Sequence, residues 1–381
     1  MHIAWLGKKT PFCGNVTYSR EVTNALLTNH QVSFLHFAQE DSTPDHWPGC
    51  PEVPLPFLYK SQVYTIPTFK SSKVLIQSLR DLKPDLVHAS LSISPLDFLL
   101  PEICEELNLP LVATFHTAYA RKGDKLKSGT QFLAYQLYAP FLANYDQVVV
   151  FSEIQRELLV KMAVPPERVA VIPNGVDVQK YSPGPSSLKS EFEAERIFVY
   201  QGRIAPEKNV EALLKAWRQA KMGPKCKLLI VGDGPLRLAL EPFYDAEHGI
   251  IWLGYVADEQ RRIDILRGSD VFILPSLAEG LSLSLLEAMA CGVACVATDV
   301  GADGEVLEDG TGVVVNPQRV KSELQTLLPL LRDHPEFTAR LGQKARTRVL
   351  ERYTLNANIA QLEKLYDQVL QQPRLMFSHR A

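Results

Sequence analysis

The sequence predicts an α/β protein built from two parallel-sheet domains that face a central cleft and are closed by a C-terminal helix. Three observations carry this expectation. Short apolar runs alternate with longer amphipathic segments, as they do where buried parallel strands are covered by helices. The rhythm then repeats in the second half. The length of 381 residues, at roughly 100–200 residues per domain, gives each half enough chain for its own core.

In the first half the strand-like runs are residues 2–6, 31–37, 85–89, 111–115, 147–151 and 169–172. The pattern breaks at 44–67, where Pro44, Pro48, Pro51, Pro54, Pro56 and Pro67 predict an irregular excursion. A second set starts after Pro183-Gly184-Pro185, with strands expected at 197–201, 227–231, 250–253, 271–274, 293–297 and 312–315 and helices at 210–219 and 235–246. The linker is placed at 173–185. This gives a first domain over 1–177, a second domain over 178–352 and a closing segment over 353–381. Apolar residues at 355, 359, 362, 365, 366 and 369 form a helical stripe, expected to pack back on the first domain.

Charge and cysteine content exclude several classes. The net charge is -3, and a division near residue 177 leaves 15 basic against 17 acidic residues, then 25 against 26, so neither half has the basic excess of a nucleic-acid binder. The six cysteines show no CxxC and no zinc-type spacing, and read as reduced thiols of a cytoplasmic chain; Cys291 and Cys295 are two small core residues. The N-terminal apolar run is too short for a signal peptide, and no run reaches the ~18 apolar residues of a spanning helix, so membrane contact is expected to be peripheral.

Residues 269–292 carry the most chemistry. They read as a strand, a tight loop ending in Glu279-Gly280 and a helix. The backbone amides of Gly280, Leu281 and Ser282 are expected to be free at the helix start, where an anion such as phosphate is favoured. Glu287 lies eight residues, about two helical turns, after Glu279, so the two carboxylates are placed to accept hydrogen bonds from two ends of one ligand. Read singly, they are equally a helix cap and a solvated helix residue. A second loop, 201–209, sets Arg203 and Lys208 five apart after a strand, which suits a diphosphate; alone it reads better as a surface loop with two solvated cations.

Taken together these segments resemble the nucleotide-binding domain of the retaining family 4 glycosyltransferases of the GT-B fold, two Rossmann-like domains. The matching pieces are Gly202-Arg203 with Lys208, Val231-Gly232-Asp233-Gly234-Pro235, Leu253-Gly254-Tyr255-Val256, residues 270–276, and Glu279 with Glu287 followed by Ala288-Met289-Ala290-Cys291-Gly292. Residues 172–177 also resemble the family's interdomain turn. The resemblance implies that Arg203 and Lys208 hold the donor diphosphate, Glu287 the ribose and Glu279 the sugar hydroxyls, with the Tyr255-Val256 backbone beside the base. It implies a UDP-, GDP- or ADP-sugar donor, with UDP favoured. Transfer would retain configuration, with no metal required because Arg and Lys neutralise the leaving group. Where the family commonly reads Glu-Gly-Phe-Gly, this chain has Glu279-Gly280-Leu281-Ser282, which alters the sugar pocket.

In the first domain, Gly14 matches the family's glycine-rich turn, without its double glycine, and His116 resembles the acceptor-site histidine beside the transferred sugar. The basic run 121–127, the aromatic helix 131–145 and the 374–380 tail suit an anionic membrane surface, although a solvated basic loop, a core aromatic stripe and a frayed tail explain them equally. Pieces of 11–22 and 114–152 look like bacterial and plastid glycolipid synthases. Hexose transfer to a membrane glycerolipid, of digalactosyldiacylglycerol type with galactose favoured, is therefore expected. The alternatives are a soluble sugar or polysaccharide acceptor, a nucleotide-sugar epimerase, and a non-catalytic sugar-nucleotide-binding regulator.

Overall fold

The computed structural model describes residues 1–10, 13–37, 49–61, 64–119 and 130–372. The chain divides into two compact units. The first takes the described parts of Met1–Thr117, Lys125–Asn174 and Leu355–Ala381, and the second those of Ala118–Asp124 and Gly175–Thr354. The short piece holding Tyr119 thus belongs with the second unit.

In the first unit, strands β1 (His2–Gly7), β2 (Gln31–His36), β3 (Glu52–Pro54), β6 (Leu86–Ser90), β7 (Leu111–Thr114), β8 (Gln147–Val150) and β9 (Val169–Val171) form a parallel sheet ordered β3-β2-β1-β6-β7-β8-β9. Apart from its edge strand β3, it is rich in buried Val, Ile, Leu and Ala, as a sheet covered on both faces must be. Between β3 and β6 lies an antiparallel hairpin, β4 (Phe57–Lys60) with β5 (Thr65–Pro67). The proline-rich excursion therefore contains three short strands that the proline count hid. Of its described prolines, Pro54 and Pro67 end strands and Pro51 and Pro56 lie outside them, while Pro44 and Pro48 lie outside the described residues.

The covering helices are α1 (Gly14–Leu26), α2 (Ser71–Leu82), α3 (Pro95–Glu106), α4 (Thr130–Leu142) and α5 (Glu153–Lys161). The helix α14 (Leu355–Gln371) belongs to this unit and buries Ile359, Leu362, Leu365, Tyr366 and Val369. It is tied down by Asn358 Nδ2 donating to Pro173 O at 2.6 Å and by the Tyr366 hydroxyl 2.6 Å from His88 Nδ1. On α4 Tyr135 and Tyr138 are buried, with their hydroxyls on Thr117 O and Asp97 Oδ2, so these two aromatics are satisfied core, while Leu133 and Leu137 on the same helix are exposed. The basic run 121–127 and the 374–380 tail lie outside the described residues.

The second unit repeats the design. Strands β10 (Arg196–Gln201), β11 (Cys226–Val231), β12 (Ile250–Gly254), β13 (Val271–Leu274), β14 (Ala294–Thr298) and β15 (Val313–Val315) run parallel in the order β12-β11-β10-β13-β14-β15. The accompanying helices are α6 (Leu188–Glu191), α7 (Val210–Ala220), α8 (Arg237–Leu240), α9 (Glu259–Gly268), α10 (Leu283–Ala290), α11 (Asp303–Val306), α12 (Val320–Asp333) and α13 (Pro335–Arg352). The single helix expected at 235–246 is instead the one-turn α8 followed by 3₁₀ turns at Glu241–Phe243 and Ala246–His248; Pro242 cannot continue the helix, and Asp245 caps the next turn.

All six cysteines are free. Cys291 ends α10 and Cys295 lies in β14, both buried. Among the described residues no helix is long and apolar enough to cross a membrane.

Candidate active site

In an open parallel sheet a ligand binds at the carboxyl edge where the strand order reverses, because there the two flanking loops diverge to opposite faces. In the second unit that point lies between β10 and β13, so the loops at issue are 202–209 and 275–282. These are the two loops that carry Arg203 and Lys208, and Glu279 with Gly280, Leu281 and Ser282.

Close backbone approach fixes the first loop. Gly202 N donates to Val231 O, Ile204 N to Asp233 O and Gly232 N to Gly254 O, which joins the loops after β10, β11 and β12 side by side. Gly232 has φ +135°, and a Cβ there would lie 1.9 Å from Gly202 O. The glycines of the 231–235 motif thus let the Arg203 loop sit on its neighbour. Arg203 pairs with Glu207 four residues on.

Lys208 reaches Glu279: Nζ lies 2.5 Å from Oε1, and Ser276 Oγ donates to the same oxygen at 2.7 Å. Glu279 is 8% exposed. Gly301 holds its loop from behind, with φ +56° and a Cβ position 2.3 Å from Glu279 O and 2.4 Å from Gly280 O, where no larger residue fits. Tyr119 N donates to Glu279 O, and Gly301 N to Tyr119 O.

The amide of Ser282 is not free. It donates to Oδ1 of Asp303 at 2.9 Å, while the Ser282 hydroxyl caps α10 by accepting from Leu285 N. An internal carboxylate thus occupies part of the expected anion site. Asp303 is fully buried, and Oδ2 has no hydrogen-bond partner. Burial foremost, then the charge of Glu279, pushes its carboxyl well above the usual range, while the Ser282 amide and Lys208 pull the other way. Nothing in the sequence singled out Asp303, which reaches Ser282 from the segment after β14, the neighbour of β13 in the sheet.

Glu287 lies on α10, 9% exposed, with Oε2 accepting from Gln201 Nε2 at 3.0 Å. Gln201, the last residue of β10, is a second polar group that sequence reasoning passed over as part of a strand. Tyr255 is exposed just beyond β12, and the carbonyl of Val256 accepts from Arg262 Nη1 at 2.9 Å. The second unit therefore gathers Lys208 with Glu279 and Glu287 with Gln201.

In the first unit the reversal lies between β1 and β6. Gly14 starts α1 there, exposed, with open space where a Cβ would be. His116 follows β7, half-buried, with Nε2 2.9 Å from Ser90 Oγ. Ser90 Oγ also donates to Asn15 Oδ1, and the Tyr18 and Phe151 rings enclose the imidazole. Burial foremost, then the nearby Lys8 ammonium, lowers His116 to about 3, so the ring is neutral at physiological pH and offers one donor and one acceptor. Ser90 and Asn15 had no sequence signal of their own.

Comparison with known proteins places the chain among glycosyltransferases. The profile of "Glycosyl transferases group 1" matches residues 187–348, and that of "Glycosyltransferase Family 4" matches residues 13–180. A UDP-Gal:alpha-D-GlcNAc-diphosphoundecaprenol alpha-1,3-galactosyltransferase of Escherichia coli is 26% identical over 79% of this chain and 80% of its own length. An alpha-monoglucosyldiacylglycerol synthase of Streptococcus pneumoniae is 27% identical over 65% of this chain and 58% of its own. An N-acetyl-alpha-D-glucosaminyl L-malate synthase of Bacillus anthracis is 30% identical over 55% and 56%. Among solved structures, sucrose-phosphate synthase from Thermosynechococcus elongatus superposes with a TM-score of 0.76 at 21% identity, covering 97% of this chain and 98% of that one. The Anabaena HepE protein in complex with UDP-glucose gives 0.74 at 18%, covering 97% and 100%. With a profile matched in each half and the fold shared along nearly the whole length, the chain is a hexose-transferring glycosyltransferase of the GT-B type.

Proposed function

We propose that this enzyme moves a hexose, galactose for preference, from a UDP-sugar to a membrane glycerolipid with retention of anomeric configuration, as in digalactosyldiacylglycerol synthesis. The observation that carries the donor half is the Lys208–Glu279 contact at the reversal point of the second sheet. An ammonium has three donors, so Lys208 can keep Glu279 and still bond a phosphate oxygen. In the proposed reaction Arg203 turns from Glu207 to the diphosphate, Glu287 accepts from the ribose, and the Tyr255-Val256 backbone borders the base. Glu279 meets the sugar hydroxyls, with Gly280 and Leu281 bordering the donor beside it; Ser282 contributes its helix cap, its amide being held by Asp303.

As the anomeric C–O bond breaks, the leaving phosphate oxygen gains charge, which the Lys208 ammonium and Arg203 guanidinium offset in a partly dry site. The acceptor oxygen forms the new bond on the face the phosphate leaves, and its proton passes to that phosphate. Charge and atoms balance without a metal. His116, neutral, bonds a hydroxyl of donor or acceptor. Gly14 leaves room at the start of α1 for a donor phosphate.

UDP and galactose are supported by the Escherichia coli relative's name, and a glycerolipid acceptor by the pneumococcal one. A soluble acceptor is the second reading, favoured by the malate-directed relative. The test is nucleoside diphosphate release from UDP-, GDP- and ADP-hexoses, with and without mixed glycerolipid vesicles. Release from UDP-galactose that requires lipid is expected. Release that is indifferent to lipid moves the acceptor to the soluble class, and release from a GDP- or ADP-sugar alone overturns the donor assignment.

A further inference from the structure

The hairpin β4–β5 and the turn into α2 leave an apolar surface that none of the described residues covers. Leu58 is 69% exposed and Phe69 is 99% exposed, and Tyr59, Tyr64 and Ile66 are also open to solvent. Tyr59 and Ile66 are cross-strand partners, so they share one face of the hairpin, and the Tyr64 ring lies 5.6 Å from that of Tyr59. The opposite face is held: Thr65 is buried, and the Lys60 ammonium bonds Phe37 O at 2.6 Å and Thr10 Oγ1. Single exposed apolar residues are ordinary, but five within twelve positions of a small hairpin are not.

The charge beside this patch is one-sided. Between Glu52 and Asp81 the chain carries Lys60, Lys70, Lys73 and Arg80 and no acidic residue, in a protein whose net charge is -3. Arg80 pairs with Glu106, and Lys60 turns inward. The two that remain, Lys70 and Lys73, are exposed at the N-cap and in the first turn of α2, a turn with no acidic residue and no side-chain cap. Cations there oppose the helix dipole and cost stability. An anionic surface laid against them removes that cost.

We propose that this hairpin, with Phe69 and the Lys70 and Lys73 ammoniums, is a docking surface for an anionic lipid bilayer. Aromatic side chains with a polar tip, such as Tyr59 and Tyr64, suit the headgroup boundary. Phe69 and Leu58 suit the acyl region just beneath it, and lysines suit anionic headgroups. The hairpin is anchored at the carboxyl edge of the first sheet, through Thr65 N on Ile93 O after β6 and Lys8 Nζ on Ser61 O after β1. His116 lies at the same edge of the same unit, after β7. A lipid headgroup under the hairpin is thus delivered to the end of the sheet that holds the acceptor-side histidine. This rests on the glycerolipid reading for its purpose, and on the hairpin alone for its existence.

The experiment is co-sedimentation of the full chain with phosphatidylcholine vesicles and with vesicles that also contain phosphatidylglycerol. Wild type, Leu58→Ser/Phe69→Ser and Lys70→Glu/Lys73→Glu are compared, with UDP affinity and circular dichroism as controls for the fold. The expected result is binding to the anionic vesicles only. The apolar pair should weaken it about tenfold, and the charge reversal should abolish its salt dependence, with UDP affinity unchanged in both. Undiminished sedimentation in both variants overturns the proposal. So does a concentration-dependent dimer that Phe69→Ser dissolves, since the cover is then a second copy. Vesicle binding without lipid-dependent turnover leaves the docking surface standing and removes the glycerolipid reading. Lipid-dependent turnover with no vesicle binding does the reverse.

Discussion

Replacing Lys208 by Ala removes one partner of a pair whose side chains are 21% and 10% exposed, at a separation of 2.5 Å. Breaking a fully buried pair costs about 3–5 kcal/mol and a surface pair about 0–1, so this one is placed near 2 kcal/mol, because Glu279 keeps only Ser276. For a unit of this size that lowers Tm by roughly 4–8 °C. The catalytic loss is larger. Removing one group that offsets charge in the transition state costs about 10²–10³ in rate. In nucleoside diphosphate release, kcat/KM of Lys208→Ala should fall by at least that factor, while circular dichroism stays native. In a Glu279→Gln background the stability cost of Lys208→Ala should shrink by about 1 kcal/mol or more, since the stranded charge is already gone. Near-wild-type turnover with an unchanged Tm, or equal costs in both backgrounds, would refute the assignment of these two residues to one site.

Gly301→Ala forces a Cβ at φ +56° to within 2.3 Å of a backbone oxygen, and should cost about 2–4 kcal/mol in chemical unfolding and depress activity by shifting Glu279; an unfolding midpoint equal to wild type would contradict the packing. Asp303 has its carboxyl raised above 3.8 in the folded state. Its contribution to stability is therefore present in acid and is lost as pH rises above that value. Asp303→Asn, which can still accept from Ser282 N, should exceed wild type in stability at neutral pH, and the margin should close as pH falls towards about 4. His116, lowered to about 3, should show an imidazole proton resonance that does not titrate between pH 5 and 8; titration near 6.5 would show a solvated ring and remove its proposed neutral role.

Much of the architecture was legible because buried parallel strands announce themselves as apolar runs. The run at 271–274 matches β13 residue for residue, and most of the others fall within one or two residues of the observed strands. What failed did so for local reasons. Strands β3, β4 and β5 are too short, and too interrupted by proline, to show a period of two. The segment 235–246 has helical spacing but carries Pro242 in its interior.

At the site, Lys208, Glu279 and Glu287 could be found because each lies in a motif tied to a loop at a strand's carboxyl end. Asp303, Gln201 and Ser90 could not, because they act through contacts between segments distant in sequence: Asp303 reaches Ser282 from twenty-one residues away and Gln201 reaches Glu287 from eighty-six. The free amide expected of Ser282 shows the same limit, since spacing along one helix says nothing of what a neighbouring loop places against it.

The most direct measurement is the structure of the product. Wild-type enzyme would be incubated with UDP-α-D-galactose and a monohexosyl glycerolipid in vesicles, and the purified lipid examined by proton NMR at the new anomeric centre. The account predicts one added galactose in α linkage, formed in proportion to UDP released and absent with Glu279→Ala. A β-linked product would contradict retention at the Arg203–Lys208 face, and UDP release with no sugar on the lipid would contradict the acceptor.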